Sequence, residues 1–390
     1  MQWRQLKIFA GQPMFLFLLV LTIASTTGLS GWRTLINNFA VEKANFTGGD
    51  IGIVQSVREI PGFLALFTIF FIRFIKEHRF ASLTIILMGI SIAVTGFFPS
   101  LWGIAITTLL MSTGFHYYET ANQSLSLQYF EKEKAPLVLG YQRSIAALTA
   151  IATGLFIWLL SRVFNLDFLT IFSVLGILVA GLGIWTLFRD PTEKDIVPQK
   201  KTFLLKKRYW LYYTLTFLAG ARRQIFVAFA IFLLVQRFDF TLQQISILFV
   251  VNNAINFFIY PYIGKFIMRF GERKLLTLEY FSLIFIFLAY AFTTSSLLVI
   301  FLYIMDHILF NFALAIKTYF QKIAAPEDIA PSMAMGFTIN HIAAVIIPFT
   351  GGLLWDYNYQ LPFFFGAFIA AVSLLFVRFI KPVKEIKVEG

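Results

Sequence analysis

Arg189 to Arg208 reads RDPTEKDIVPQKKTFLLKKR, the longest stretch without a hydrophobic span. A block of apolar segments lies on each side, and the two blocks echo each other. Before the stretch, Phe115 to Pro136 reads FHYYETANQSLSLQYFEKEKAP; after it, Met305 to Pro326 reads MDHILFNFALAIKTYFQKIAAP. Both set polar groups in an apolar helix and end in Tyr-Phe, a short polar link and Ala-Pro. A second echo pairs NFTGGDIGIV, from Asn45, with DFTLQQISIL, from Asp239. A repeat of this kind predicts two copies of one unit. The boundaries it predicts are residues 1–188, a basic linker at 189–208, and residues 209–390.

Composition assigns the medium. Of 390 residues, 58% are hydrophobic and 13% charged, Phe alone supplies 48, and mean hydropathy is +0.77. Soluble domains carry about 25% charged residues, so a water-soluble core for this much apolar surface is implausible and the bilayer is the expected partner. The net charge of +12 does not point to nucleic acid. Most Lys and Arg sit in short links between apolar spans, without the aromatic-basic interleaving of single-strand binders. Cysteine is absent, which excludes disulfides and thiolate metal sites. The four histidines, His78, His116, His307 and His341, lack metal-protease spacing, and no GxxxxGK[ST] phosphate loop occurs. No cofactor or metal is expected. The apolar run from Met14 is too long for a signal peptide and reads as a retained first membrane helix.

About 20 apolar residues cross the hydrocarbon. That rule predicts an all-α integral membrane protein with twelve transmembrane helices, at 13–38, 50–73, 80–98, 101–130, 136–161, 165–188, 209–236, 241–267, 274–293, 296–321, 331–355 and 360–380. Positive charge gathers in alternate links: Arg73, Lys76, Arg79, Lys132, Lys134, the run Lys200 to Arg208, Arg269, Arg273, Lys274, Lys322, Lys381, Lys384 and Lys387. The other links hold Lys43, Arg162 and Arg237. The positive-inside rule then puts both termini in the cytoplasm, with a bacterial inner membrane the expected location.

Charges enter the spans with a rhythm. Spans three, six and twelve have no ionisable side chain inside, and span nine has only Glu279, near its cytoplasmic start. The other spans carry Arg33; Arg58 and Glu59; His116 and Glu119; Arg143; Arg222 and Arg223; Asn252, Asn253 and Asn256; Asp306, His307 and Lys317; and His341. A charge at the bilayer centre costs about 2.5–3.5 kcal/mol on insertion scales, so it faces protein or water. Spans 3, 6, 9 and 12 are therefore expected on the outside of the bundle.

The chain at this point resembles the major facilitator superfamily. The resemblance rests on six plus six spans about a basic loop and on two motifs. Gly264-Lys-Phe-Ile-Met-Arg-Phe-Gly-Glu-Arg-Lys274 is similar to the family's GxxxDRxGRR loop, with Gly264, Arg269, Gly271 and Arg273 in place and Met268 where Asp is expected. Pro348-Phe-Thr-Gly-Gly352 resembles its proline-glycine packing segment. The matching first-half loop, Ile72 to Arg79, is degraded, and span five lacks the GPxxGG segment of proton-driven drug antiporters. The resemblance implies two pseudo-symmetric six-helix bundles, a monomer, and a rocker-switch secondary transporter whose spans 1, 4, 7 and 10 line a central cavity. In it, the Gly264–Lys274 loop would act in the conformational change.

The candidate site residues follow from depth and spacing. Arg222 and Arg223 lie about 20 Å into span seven at ~1.5 Å per residue. A guanidinium suits carboxylate or phosphate, and adjacent positions point about 100° apart, so one of the two is expected to face the cavity. The competing reading is a structural ion pair with a neighbouring helix. Arg143, Tyr118, Asn122, His307 and Asn311 are the other candidate substrate contacts. His116 and Glu119, at i and i+3 of span four, and Asp306 in span ten are candidate carriers of a proton or other coupling ion; for the two carboxylates a salt bridge with an arginine is equally open. Arg33, Arg58 and Glu59 are expected to form a gate pair. Six intramembrane basic residues (Arg33, Arg58, Arg143, Arg222, Arg223, Lys317) face three acidic ones (Glu59, Glu119, Asp306), which favours an anionic small-molecule substrate. Two other functions compete: export of amphipathic drugs or siderophore-like compounds, suggested by the aromatic content, and an intramembrane enzyme. The last lacks a nucleophile or metal cluster beside its acid–base groups.

Overall fold

The computed structural model describes residues 12–72, 74–130, 135–192, 205–325 and 328–381. Arg73, Lys132, Lys134, Lys384, Lys387 and residues 193–204 of the linker, all used in the charge argument above, lie outside the described residues. Helices account for every predicted span. They are α1 (Pro13–Ala44), α2 (Gly48–Phe63, continued by Thr68–Ile72), α3 (Glu77–Thr95), α4 (Leu101–Tyr129), α5 (Ala135–Arg162) and α6 (Phe168–Leu187). After the linker come α7 (Lys207–Phe238), α8 (Leu242–Phe270), α9 (Glu272–Phe292), α10 (Ser296–Ile323), α11 (Ile329–Tyr357) and α12 (Leu361–Val377).

Among the described residues, nine helices are long and apolar enough to cross a membrane, and α12 is a shorter apolar helix. The two that fall short do so for visible reasons. α2 has Pro61 inside it and tightens to a 3-10 turn at Leu64–Phe67, so its first part is only 16 residues. α4 is 29 residues long, but Thr113, His116, Glu119, Asn122 and Gln123 dilute its apolar character.

The chain divides into two compact units. The first holds residues 1–45, 57–199 and 241–253; the second holds 46–56, 200–240 and 254–390. Each half thus lends the first turns of one helix, α2 or α8, to the other half's unit.

Those two lent segments are the NFTGGD and DFTLQQ echoes. Asn45 and Asp239 both take left-handed backbone, at φ 52° and 53°, and end α1 and α7. The next helix then opens on a reciprocal cap. In α2, the Thr47 N–H donates to Asp50 Oδ2 at 3.0 Å and the Asp50 N–H donates to Thr47 Oγ1 at 3.3 Å. In α8, Thr241 and Gln244 do the same at 2.8 and 3.4 Å. Phe46 and Phe240 before the caps, and Ile51 and Ile245 after them, are buried, as a hydrophobic staple requires.

Within the first unit, α3 and α6 cross at small residues. A Cβ on Gly89 would lie 2.3 Å from Ala180 N, and one on Gly176 would lie 2.2 Å from Ala93 N. Such close backbone approach is how helices associate where no hydrophobic force separates them from lipid. In the second unit α9 packs on α12. These four helices bare large apolar side chains such as Ile90, Ile177, Phe285 and Phe368, which suits a lipid-facing surface.

Candidate functional site

α7 carries the two candidate arginines, and the fold separates them. Arg222 is 2% exposed. Its NH2 donates to Glu279 Oε1 at 2.8 Å and its NH1 to Ser373 Oγ at 3.0 Å. Its Cζ stands 4.3 Å from the Tyr280 ring centroid. The guanidinium is committed to α9 and α12. Arg223 points another way: it is exposed, and its Cζ lies 5.0 Å from the Phe310 ring on α10.

Glu279 corrects the charge balance drawn from sequence. It is fully buried, seven residues past the start of α9, so it belongs among the intramembrane acids. Six basic residues then face four acidic ones, and the surplus falls from three to two. The sequence signal was present, since Glu279 is the sole ionisable residue within an otherwise clean span. Its partner could not be read, because Arg222 is 57 positions away.

Both helices around Arg223 loosen at this level. α7 passes into π-helix at Phe226–Ala230 directly after the arginine pair, a departure frequent at functional sites. α10 tightens to 3-10 at Asn311–Ala313. Phe226 stacks on Tyr303 at 5.1 Å and meets the His307 ring edge-on at 4.7 Å. His307 Nδ1 lies 3.2 Å from the Tyr303 carbonyl. Asn311 Nδ2 donates to Asn256 Oδ1 on α8 at 2.9 Å. Arg223, His307, Phe310 and Asn311 therefore lie along the α7–α10 face of one unit. Asp306, beside His307 in sequence, is buried toward the Arg222 side instead.

In the first unit, Arg58 Nε and NH2 both donate to Glu59 Oε1, at 3.1 and 2.5 Å, with both residues buried. Arg58 Cζ is 5.8 Å from the Trp32 ring, and its carbonyl accepts from Ser112 Oγ of α4. Arg33 is half-buried on α1. Tyr118 is buried with its hydroxyl 3.3 Å from Thr22 Oγ1. Asn122 Nδ2 donates to Gln142 Oε1 at 3.1 Å, and Gln142 Nε2 donates to Ser126 Oγ at 3.0 Å, which ties α4 to α5. His116 is buried against Phe115, whereas Glu119 and Arg143 are exposed.

The loop motif resolves into a turn and an ion pair. Gly271, at φ 80°, lets α8 end and α9 begin without a break in the chain's course. Arg269 and Arg273 are exposed, and Gly264 lies in α8. Glu272, which the motif comparison passes over, is buried and takes Lys322 at 2.6 Å, tying the start of α9 to the end of α10.

A second cation cluster holds the start of α11. Asp328 accepts from Lys206 at 2.8 Å, from the Tyr209 hydroxyl at 2.7 Å and from Arg208. The Lys206 contact, then those of Tyr209 and Arg208, lower its pKa from 3.8 to about 2. A depressed acid contributes its stability above the unfolded pKa and loses it as pH falls through the folded one. The anchor is therefore expected to hold unchanged down to about pH 4 and to fail between about 4 and 2. Asp328→Asn should remove it at every pH, seen as faster hydrogen exchange at the start of α11; equal exchange in the variant would refute the anchor.

At the α1–α2 end, the start of α2 lies on the end of α11 within the second unit. Asp356 Oδ2 accepts from the Gly49 N–H at 3.0 Å and from Thr47 Oγ1 at 3.1 Å. A Cβ on Gly52 would lie 2.4 Å from the Pro348 carbonyl and 3.0 Å from Gly352 Cα. Helices of this length and apolarity define a multi-pass integral membrane protein. The description Major Facilitator Superfamily matches residues 8–324, and the chain belongs to that family of transporters. A search of curated proteins found no match. Solved structures share the fold at low identity. The nucleoside transporter NupG superposes with TM-score 0.75 at 17% identity, over 94% of this chain and 98% of that one. A bacterial homologue of the lysosomal transporter Spinster gives 0.73 and 12%, over 93% and 95%. A bacterial homologue of the iron transporter ferroportin gives 0.73 and 12%, over 94% and 98%.

Proposed function

We propose that this chain is a proton-coupled secondary transporter of a small organic anion, working by alternating access from a bacterial inner membrane with both termini cytoplasmic. The observation that carries the reading is Arg223. It is an exposed guanidinium at mid-depth of α7, a helix whose most apolar stretch is largely buried. Its neighbour Arg222 is already spent on Glu279. A charge held at that depth and turned toward α10 has a use only if it meets water, protein or an anion. Phe310, Phe226 and Tyr303 supply apolar surface for an organic body, and His307 and Asn311 supply polar groups beside it. Arg143 and Asn122 serve as substrate contacts in the first unit, Tyr118 braces α4 against α1, and Glu119, His116 and Asp306 carry the coupling proton. Arg58 and Glu59, with Arg33, hold a gate. The protein acts as a monomer.

The test is binding and transport with Arg223→Gln beside the native protein. A ligand at 100 times its dissociation constant adds about 2.7 kcal/mol, so a library of organic anions, cations and neutral amphiphiles can be ranked by melting shift. Organic anions are expected to stabilise the native protein. Arg223→Gln should weaken their binding roughly ten- to a hundredfold, from about 1.5–3 kcal/mol for a charged hydrogen bond, and stop their uptake into proteoliposomes. The aromatic content of the α7–α10 face favours one other reading, export of amphipathic compounds. That reading takes over if only cations or neutral amphiphiles stabilise the protein and Arg223→Gln responds as the native chain does.

A further inference from the structure

The second unit buries two carboxylates around one guanidinium. Glu279 on α9 is 0% exposed and Asp306 on α10 is 3% exposed, and both lie within electrostatic reach of Arg222. Arg222 satisfies Glu279 Oε1. Among the described residues, Glu279 Oε2 and Asp306 Oδ2 make no hydrogen bond, and neither does the buried hydroxyl of Tyr290. With both acids ionised, the cluster carries one net negative charge. Burying an uncompensated charge costs several kcal/mol even after relaxation. One more positive charge neutralises the site, and a carboxylic O–H would also give an unsatisfied oxygen a hydrogen to donate.

We propose that Glu279, Asp306 and Arg222 form a proton-binding site that holds one proton between the two carboxylates. The charged and titratable groups facing it are Arg222 from α7, Tyr280 and Tyr290 from α9, and Tyr303 from α10, with the Ser373 hydroxyl from α12. The proton adds to a carboxylate oxygen and leaves from it, with no other bond changed. The site deepens the transport reading and rests on its proton coupling, because it stands back to back with the anion face. Arg222 and Arg223 are adjacent on α7, and Asp306 and His307 are adjacent on α10. Neighbours on a helix point about 100° apart, so each helix shows one residue to the proton and the next to the substrate. Just past both pairs lie the π segment of α7 and the 3-10 turn of α10. Loss of the proton leaves two anions competing for Arg222, and the helix that turns to meet them moves Arg223 or His307 with it.

The test is infrared difference spectroscopy of the purified, substrate-free protein in lipid, recorded from pH 5 to 9 in sodium-free and sodium-containing buffer. A carboxylic C=O band that persists at pH 7 and shifts in heavy water is expected in the native chain. It should disappear in Glu279→Gln or in Asp306→Asn. If one variant does not fold, the other reads the same band, and the native pH series stands alone as a third reading. A native spectrum without a carboxylic band at pH 7 would overturn the proposal, as would a band that survives both substitutions. A band abolished by a few millimolar sodium would assign the site to a metal cation instead. Because no substrate is present, the band can stand while anion transport fails, or be missing while Arg223 still governs uptake.

Discussion

Arg222→Met is expected to be the most destabilising single change in the second unit. Removing one partner of a buried ion pair costs about 3–5 kcal/mol, because the other charge is left without compensation. Here Glu279 is left at 0% exposure, with Asp306 as a second anion nearby and the Ser373 hydroxyl also losing its donor. The double variant Arg222→Met with Glu279→Gln removes the ion pair at nearly constant volume and leaves Asp306, which is neutral when it holds the proton, so it should recover much of the loss, since neutral replacement of a buried pair is often close to neutral in stability. Thermal unfolding of the three proteins in the same lipid decides the matter. If the single variant melts with the native chain, Arg222 is not an essential partner of Glu279. If the double variant is as unstable as the single, the cost lies in lost packing on Tyr280 rather than in charge.

Gly52→Val is expected to cut transport at least tenfold. The obstruction is backbone: the added carbon would meet the Pro348 carbonyl at 2.4 Å and Gly352 Cα at 3.0 Å, atoms that cannot swing aside as a side-chain tip would. The start of α2 must then stand off from the end of α11, and the Asp356 contacts to Gly49 and Thr47 stretch. In the alternating-access cycle proposed above, this seam closes in one state and parts in the other, so a seam that cannot close would shift the population to the parted state. The chain has no cysteine, so Ser56→Cys provides a single label beside the seam, at a residue that is 7% exposed. A membrane-impermeant maleimide should label it several-fold faster when Gly52→Val is also present. Unchanged labelling together with unchanged uptake would remove the seam from the transport cycle. Fast labelling with normal uptake would mean that closure at this end is not needed for turnover.

The echo of NFTGGD and DFTLQQ was visible as letters, and its content is local: a left-handed Asn45 or Asp239, a buried Phe, and a threonine capped by the residue three positions on. Each contact there spans a few residues, so the pattern and the structure coincide. The rhythm of clean and charged spans was legible for α3, α6 and α12, whereas the buried Glu279 breaks it in α9. Glu272 and Asp328 show the limit. Each looks like a link residue in the sequence, yet each is buried with a lysine, Lys322 or Lys206, far along the chain.

Sequence by itself determined the twelve helices and pointed to the family, since span length and periodicity depend only on neighbouring residues and the thickness of the hydrocarbon. Tertiary structure alone decided which arginine meets Glu279 and which turns toward Phe310. Arg222 and Arg223 are chemically the same and one step apart. The rotation of α7 against α9, α10 and α12 gives Arg222 to Glu279 and turns Arg223 toward Phe310. That rotation is fixed by packing between helices dozens of residues apart, which no local pattern records.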